Sequence, residues 1–399
     1  MPVVLLLTAS LFAACSGSPS LPGTSSQSPG AAFRVFVDAS GTVERLDSTS
    51  EVAAKLPGDV LSPDGRHLYA VYGRLVRSFD TGTGAMTGEL QLPQLFAQVG
   101  GQSPSGTYLA LTGASDLVSW FAVVSSKLIG PVRTAVLDGG FSFDALSDDG
   151  RWLYLIEHVD SSLDYRVRRY DLDQGQLDPN VLVEKGALAT AVMNGQRYAS
   201  IGVPAWRTVY SLYFGTNGAF VHALSLDQAP ISCIDLPGPR AIDSARQQQW
   251  TLALSPAHDA LFAVNAAVGA VSRIDLATLG VTSGSFSPPS PSAESWSLVT
   301  QASAKELEGG SAVVSPDGKT LYATALHGYV AIDTASLVLK GSYFTNSSLN
   351  TLAMTPDGRR LLAVRDLNRL VEIVPADGRL DRVLLAVYGP LALLRVDPV

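Results

Sequence analysis

A chain of 399 residues has room for two or three ordinary domains or for one large repeat fold, and with 46% hydrophobic and 16% charged residues it is no disordered polymer. Its formal net charge of −8, with Lys and Arg scattered beside turns, offers no electrostatic case for DNA or RNA as a partner. Two cysteines, Cys15 and Cys233, rule out a disulfide framework, and without CxxC spacing or clustered His they make no zinc site.

Residues Val3 to Ala14, VVLLLTASLFAA, form an apolar run too short to span a bilayer as a helix and of the length of a signal-peptide core. Leu11-Phe12-Ala13-Ala14-Cys15 resembles a lipobox, although Phe12 stands where an aliphatic residue is preferred and no Lys or Arg precedes the run. That resemblance implies cleavage before Cys15 and its lipidation, so that residues 1–15 are a leader and the protein is anchored to a membrane without spanning it. Residues 16–32 are dominated by Ser, Gly, Pro and Thr, the composition of a flexible tether. The expected location is the bacterial cell envelope.

From residue 33 onward one unit repeats. Leu61-Ser62-Pro63-Asp64-Gly65-Arg66-His67-Leu68-Tyr69 returns as Val314-Ser315-Pro316-Asp317-Gly318-Lys319-Thr320-Leu321-Tyr322 and as Met354-Thr355-Pro356-Asp357-Gly358-Arg359-Arg360-Leu361-Leu362. Weaker copies start at Ser103, Ser147 and Ser255. Pro presets one turn residue, Asp bonds nearby backbone and Gly accepts the exit geometry, so each copy is a tight turn between two strands, A and B. A third run, C, follows and ends in Asp, as in Arg74 to Asp80, Ala270 to Asp275 and Gly328 to Asp333, and then a fourth, D. The recurring Asp at a strand end is expected to cap backbone rather than to form a carboxylate ring. Cys233, in the apolar run Ile231 to Ile234, is expected to be a buried, inert thiol.

The period is that of propeller blades. Seven sets begin near Gly58, Phe96, Phe141, Ala187, Trp250, Gly310 and Asn350. Phe33 to Asp38, Thr42 to Asp47 and Val52 to Leu56 supply strands B, C and D of another blade, whose A strand is found at Leu391 to Val396. The expected fold is therefore all-β: a β-propeller over residues 33–399 with four-stranded antiparallel blades, closed by a blade shared between the two ends of the chain. Eight blades are favoured; seven remain if the irregular stretch around 187–250 is misread.

These turns resemble those of the bacterial repeat propellers with Ser-Pro-Asp-Gly, including YVTN-repeat and lactonase-like families. Leu261-Phe262-Ala263-Val264-Asn265 followed by Val271 to Thr278 is most similar to the YVTN-type unit. The resemblance implies the fold and leaves the activity open, because such families include enzymes, binders and assembly scaffolds.

Alternating strand direction puts A–B and C–D turns on one face and the B–C and D–A connections on the other. The long connections, Glu157 to Asp164, Pro237 to Gln249 and Ser287 to Gly309, all fall in the second class. His158, Arg240, Trp296, His327 and Arg365 are the candidate ligand-binding residues of that face, with Asp160, Arg246 and Glu306 beside them. No catalytic residue, metal site or cofactor is assigned, since there is no HExxH, GxSxG, P-loop or dinucleotide fingerprint. The leading expectation is a monomeric, non-enzymatic binding or assembly protein that holds an envelope protein, peptide or glycan on the loop-rich face. The alternative is a lactonase-like hydrolase at the channel mouth, with His158 or His327 and Arg240 or Arg365 as its groups; docking of a redox or sugar-oxidising partner is a third possibility.

Overall fold

A computed structural model describes residues 32–48, 52–58, 60–159, 163–183, 192–227, 231–290 and 309–399. The leader with Cys15, the tether up to residue 31, and the candidates Asp160, Trp296 and Glu306 lie outside the described residues.

Local chemistry sets the repeat, and the copy at Ser315 shows how. Ser315 Oγ donates to Asp317 Oδ1 at 2.6 Å and accepts from Thr320 N at 2.9 Å, while Lys319 N donates to Asp317 Oδ1 at 3.1 Å. Gly318 takes φ +73°, a conformation that disfavours any side chain, and its carbonyl accepts from Thr334 Oγ1 at 2.6 Å. Thr334 follows the last residue of strand C, so the A–B turn is clamped to the C–D turn of its own blade. At that second turn Asp333 Oδ1 accepts from Ser336 N at 3.0 Å and Ser336 Oγ at 2.9 Å. Such bonds favour the ionised form, and the carboxyls of Asp333, Asp275 and Asp80 are all held below the ordinary carboxylate range. The recurring aspartates are backbone caps.

Eight antiparallel four-stranded sheets result, seven of consecutive strands and one of strands from both ends of the chain, with one additional short strand in the fourth. Numbered from the end nearest residue 33, blade 1 holds B at Phe33–Ala39, C at Val43–Asp47, D at Val52–Leu56 and A at Leu391–Pro398. The A strands of blades 2 to 8 are Val60–Leu61, Gln98–Gln102, Phe141–Leu146, Gln196–Val203, Thr251–Leu254, Ala312–Val314 and Leu349–Met354. The protein is an eight-bladed β-propeller. Blade 5 begins at Gln196, later than the repeat spacing suggests, and residue 187 is outside the described residues. Blade 4 has the least regular outer edge: its C strand, Asp164–Asp171, pairs there with two short strands, Gln176–Leu177 and Met193–Asn194, and by an isolated bridge between Val167 and Leu182.

Closure follows from pairing Val35 with Val396 and Phe36 with Arg395, which covers the inner edge of strand B in blade 1 with an A strand from the other end of the chain. The core is a ring of eight apolar layers, one at each seam between neighbouring blades. This is why B and C strands read as nearly continuous apolar runs: both faces of each blade are covered. The seam between blades 1 and 2 is thinnest, built on Phe36, Val43, Leu56 and Leu68. Cys233, expected to be buried, is half-buried on the outermost strand of blade 5, Ile231–Asp235, where the side wall leaves a D strand partly open to solvent.

Candidate functional site

The A strands line the central channel, and five of them carry an irregularity. In blades 1, 3, 4 and 5 a single extra residue interrupts the pairing with strand B: Leu394, Gly100, Asp144 and Tyr198 respectively. Blade 8 shifts register between Leu349 and Leu352. A bulge bends its strand and re-aims the side chains around it. All four single-residue bulges border one cavity of about 720 Å3, which is walled by the A strands of blades 1 to 5. It reaches the A–B turns at Ser62, Pro63, Ser103 and Pro104, on the face of the short turns.

Asp144 and Arg197 face each other across the seam of blades 4 and 5, with Arg197 Nη1 at 3.0 Å from Asp144 Oδ1. Arg197 Nη2 also donates to the Phe143 carbonyl at 3.3 Å. The Asp144 side chain is only 3% exposed and that of Arg197 35%, so the guanidinium is the accessible member of the pair. Burial drives the Asp144 carboxyl above its ordinary range even though Arg197 pulls it down. Gln102 lies on the same cavity wall; its Nε2 donates to the Leu61 carbonyl at 2.8 Å, and its Oε1 is buried without a hydrogen-bond partner.

Behind Asp144 the seam is polar. Tyr165 and Tyr213 stack with centroids 5.1 Å apart, and Tyr213 meets His222 edge-on at 5.9 Å. Burial raises both phenols, and the Asp144 charge raises them further. His222 is 1% exposed, and burial pushes its imidazole down to about 4, so it is neutral at physiological pH. It stands opposite Cys233 across strands C and D of blade 5. Among the described residues no group of three His, Cys, Asp or Glu side chains is placed to hold a metal ion.

The candidates named from sequence sit elsewhere. His158 ends strand B of blade 4, exposed, with Nε2 3.1 Å from Ser142 Oγ. Arg240 is exposed in the connection between blades 5 and 6, and His327 in the B–C turn of blade 7. Arg365 ends strand B of blade 8 and pairs with Asp366 at 3.2 Å; Arg246 pairs with Asp243 at 2.8 Å. His158, Arg240, His327 and Arg365 belong to connections on different blades, and none lines the channel cavity. Asp144, Arg197 and Gln102 escaped the sequence reading. One partial signal was present: Asp144 stands three residues before the A–B turn residue Ser147, where blades 3, 6, 7 and 8 have Gly100, Leu252, Ala312 and Leu352, although blade 2 also has an aspartate there, Asp59.

No protein-family model matches the chain, and no curated protein does. Solved structures do. Apo AztD from Citrobacter koseri superposes with a TM-score of 0.58 at 13% identity, over 92% of this chain and 97% of that one. BamB from Moraxella catarrhalis gives 0.52 at 12% identity, over 83% and 88%. The dihydro-heme d1 dehydrogenase NirN, in complex with DHE, also gives 0.52, at 13% identity, over 83% and 66%. The likeness is one of fold. At such identities the cavity residues of this chain have to be interpreted on their own chemistry.

Proposed function

We propose that this chain is a non-catalytic binding propeller of the bacterial envelope that holds a small polar solute in the channel cavity between blades 1 and 5. One observation carries the reading: the bulges bring a guanidinium about one-third exposed, Arg197, and a buried acceptor without a partner, Gln102 Oε1, to the wall of one cavity. A buried carbonyl oxygen without a donor costs about 1–3 kcal/mol, which a ligand hydroxyl or amide would recover. Arginine and amide side chains together suit a solute that offers both acceptors and donors. The lipobox-like leader supports presentation at a membrane surface.

Calorimetry on the purified protein with sugars, polyols, hydroxy acids and amino acids tests this. A bound solute whose affinity falls at least tenfold in both Arg197→Ala and Gln102→Ala is the expected result. Binding untouched by either substitution would remove the cavity from consideration.

An assembly role for the opposite face has its own support. Leu95, Leu117 and Tyr388 stand exposed on the D–A and B–C connections of blades 2, 3 and 8. An envelope protein partner docking there should be cross-linked in cells to the native chain and lost from the triple serine variant; equal cross-linking of both refutes it.

A further inference from the structure

Asp144 and Arg197 are not equivalent to a molecule entering the cavity. The carboxylate belongs to the bulge residue itself and is almost wholly buried, whereas the guanidinium is the accessible member, anchored by two bonds, to Asp144 Oδ1 and the Phe143 carbonyl. Guanidinium has five donors in a planar fork, so donors remain for a second acceptor on the cavity side. A ligand cation would meet arginine first; a ligand anion would meet it favourably. The pair as it stands is neutral, and a second anion on the same guanidinium would leave a net negative charge in a mostly buried seam.

Facing Asp144 are Arg197 from strand A of blade 5, Tyr165 from strand C of blade 4 and Tyr213 from strand B of blade 5. Both phenols are neutral, and His222 and Cys233, one layer further out, add no positive charge. The cavity wall carries one other guanidinium, Arg395, and it is already paired with Asp397 and bonded to the Pro63 carbonyl.

Resting on the channel-cavity reading above, we propose that the solute is a small carboxylate that docks on Arg197, and that its binding transfers one proton from solvent to Asp144. The balance is simple. Before binding, an ionised Asp144 neutralises Arg197; afterwards the ligand carboxylate neutralises Arg197, and Asp144 is a neutral acid. Uptake of the proton makes the site a pH-linked binder, tighter in mildly acidic surroundings. Gln102 Oε1 then accepts from a hydroxyl of the ligand, which points to a hydroxy acid or sugar acid.

The test uses the full chain and isothermal titration with D-glucuronate, L-malate and glycerate against D-glucose and glycerol. Each is measured from pH 5.5 to 8 in two buffers of different ionisation enthalpy. At least one carboxylate should bind tenfold or more tighter than the neutral solutes, with about one proton taken up and affinity rising up to about tenfold per pH unit as pH falls. The single carboxyls of D-glucuronate and glycerate stay ionised across this range, so with those two ligands the slope belongs to the protein. Asp144→Asn should keep binding but lose the proton uptake and the pH slope. Arg197→Gln should lose the preference for carboxylates, with the double variant as a folded, charge-free control. Carboxylate binding without proton uptake, or a slope that survives Asp144→Asn, overturns the proposal. Neutral solutes binding in the cavity while carboxylates do not overturns it and leaves the binding reading standing; no binding by any solute overturns both.

Discussion

Arg395, on the last strand of the chain, donates from Nη1 to the carbonyl of Pro63 in the A–B turn of blade 2. Its Nε is held by Asp397, and the side chain is one-third exposed. The bond crosses the thinnest apolar seam of the ring, and Arg45 of blade 1 adds bonds to the carbonyls of Thr81 and Gly82 beside it. Polar bridges supplement a small hydrophobic layer where the ring closes.

Arg395→Ala is therefore expected to cost about 1–2 kcal/mol, the range of a charge-assisted bond to backbone at a partly wet site. Arg379→Ala, which removes two long ion pairs of a largely exposed guanidinium, to Asp377 and Asp381, should change stability by less than about 0.5 kcal/mol. Urea unfolding of the two variants checks the ranking.

Two glycines of the repeated turn should differ in the same spirit. Gly318 at φ +73° has open space where a Cβ would go, so Gly318→Ala meets only backbone strain of about 1 kcal/mol. Gly65 at φ +69° would drive its Cβ into the Asp397 carboxylate and against Arg395 Nε. Gly65→Ala should cost at least twice as much as Gly318→Ala and should lose the excess in an Asp397→Ala background. Equal melting temperatures for the two alanine variants would contradict a close-packed closure.

Blade number, the shared blade and the capping aspartates were all legible because they rest on local chemistry that recurs: a Pro-Asp-Gly turn, an Asp before Thr or Ser, an apolar run of strand length. The cavity was not. A bulge is a relation between two strands, and the alternation of Phe141 to Leu146 reads the same with or without one. The Asp144–Arg197 contact joins residues 53 apart on different blades, where no turn signal connects them. Loop length drew attention to the opposite face, since long polar connections are conspicuous in sequence and a wall of short strands is not.

His222 gives a pH prediction with a definite sign. Its imidazole titrates near 4 in the folded protein and at the ordinary 6.5 when unfolded, so the unfolded chain binds the proton first. The stability it contributes is complete above pH 6.5 and is lost as pH falls from there to about 4, on the order of 3 kcal/mol in all. The depressed turn carboxylates of Asp64, Asp317 and Asp333 act lower, as pH falls below the ordinary 3.8 toward their folded values. Denaturant melts between pH 7 and 4.5 should show the loss in the native chain and a flatter profile in His222→Phe. Parallel slopes would show that His222 is hydrated in the folded state.

Asp144 works with the opposite sign. Its folded carboxyl is raised, so the protonated form is favoured by folding, and the associated stability is present at low pH and lost as pH rises through the folded value. Arg197 limits that loss at neutral pH by neutralising the carboxylate. Arg197→Gln leaves the charge buried and unpaired, which is expected to cost about 3–5 kcal/mol at pH 8. The deficit should shrink as the medium is acidified toward pH 4, because the folded variant can then take up the proton that the unfolded chain still lacks. Asp144→Asn in the same background should restore most of the stability at pH 8, since neither charge remains to be paired. Urea unfolding of the native chain, the two single variants and the double variant at pH 8 and pH 5 closes the cycle. A double variant as unstable as Arg197→Gln would mean that the arginine supports the seam by packing against Phe143 and Asp144 rather than by its charge.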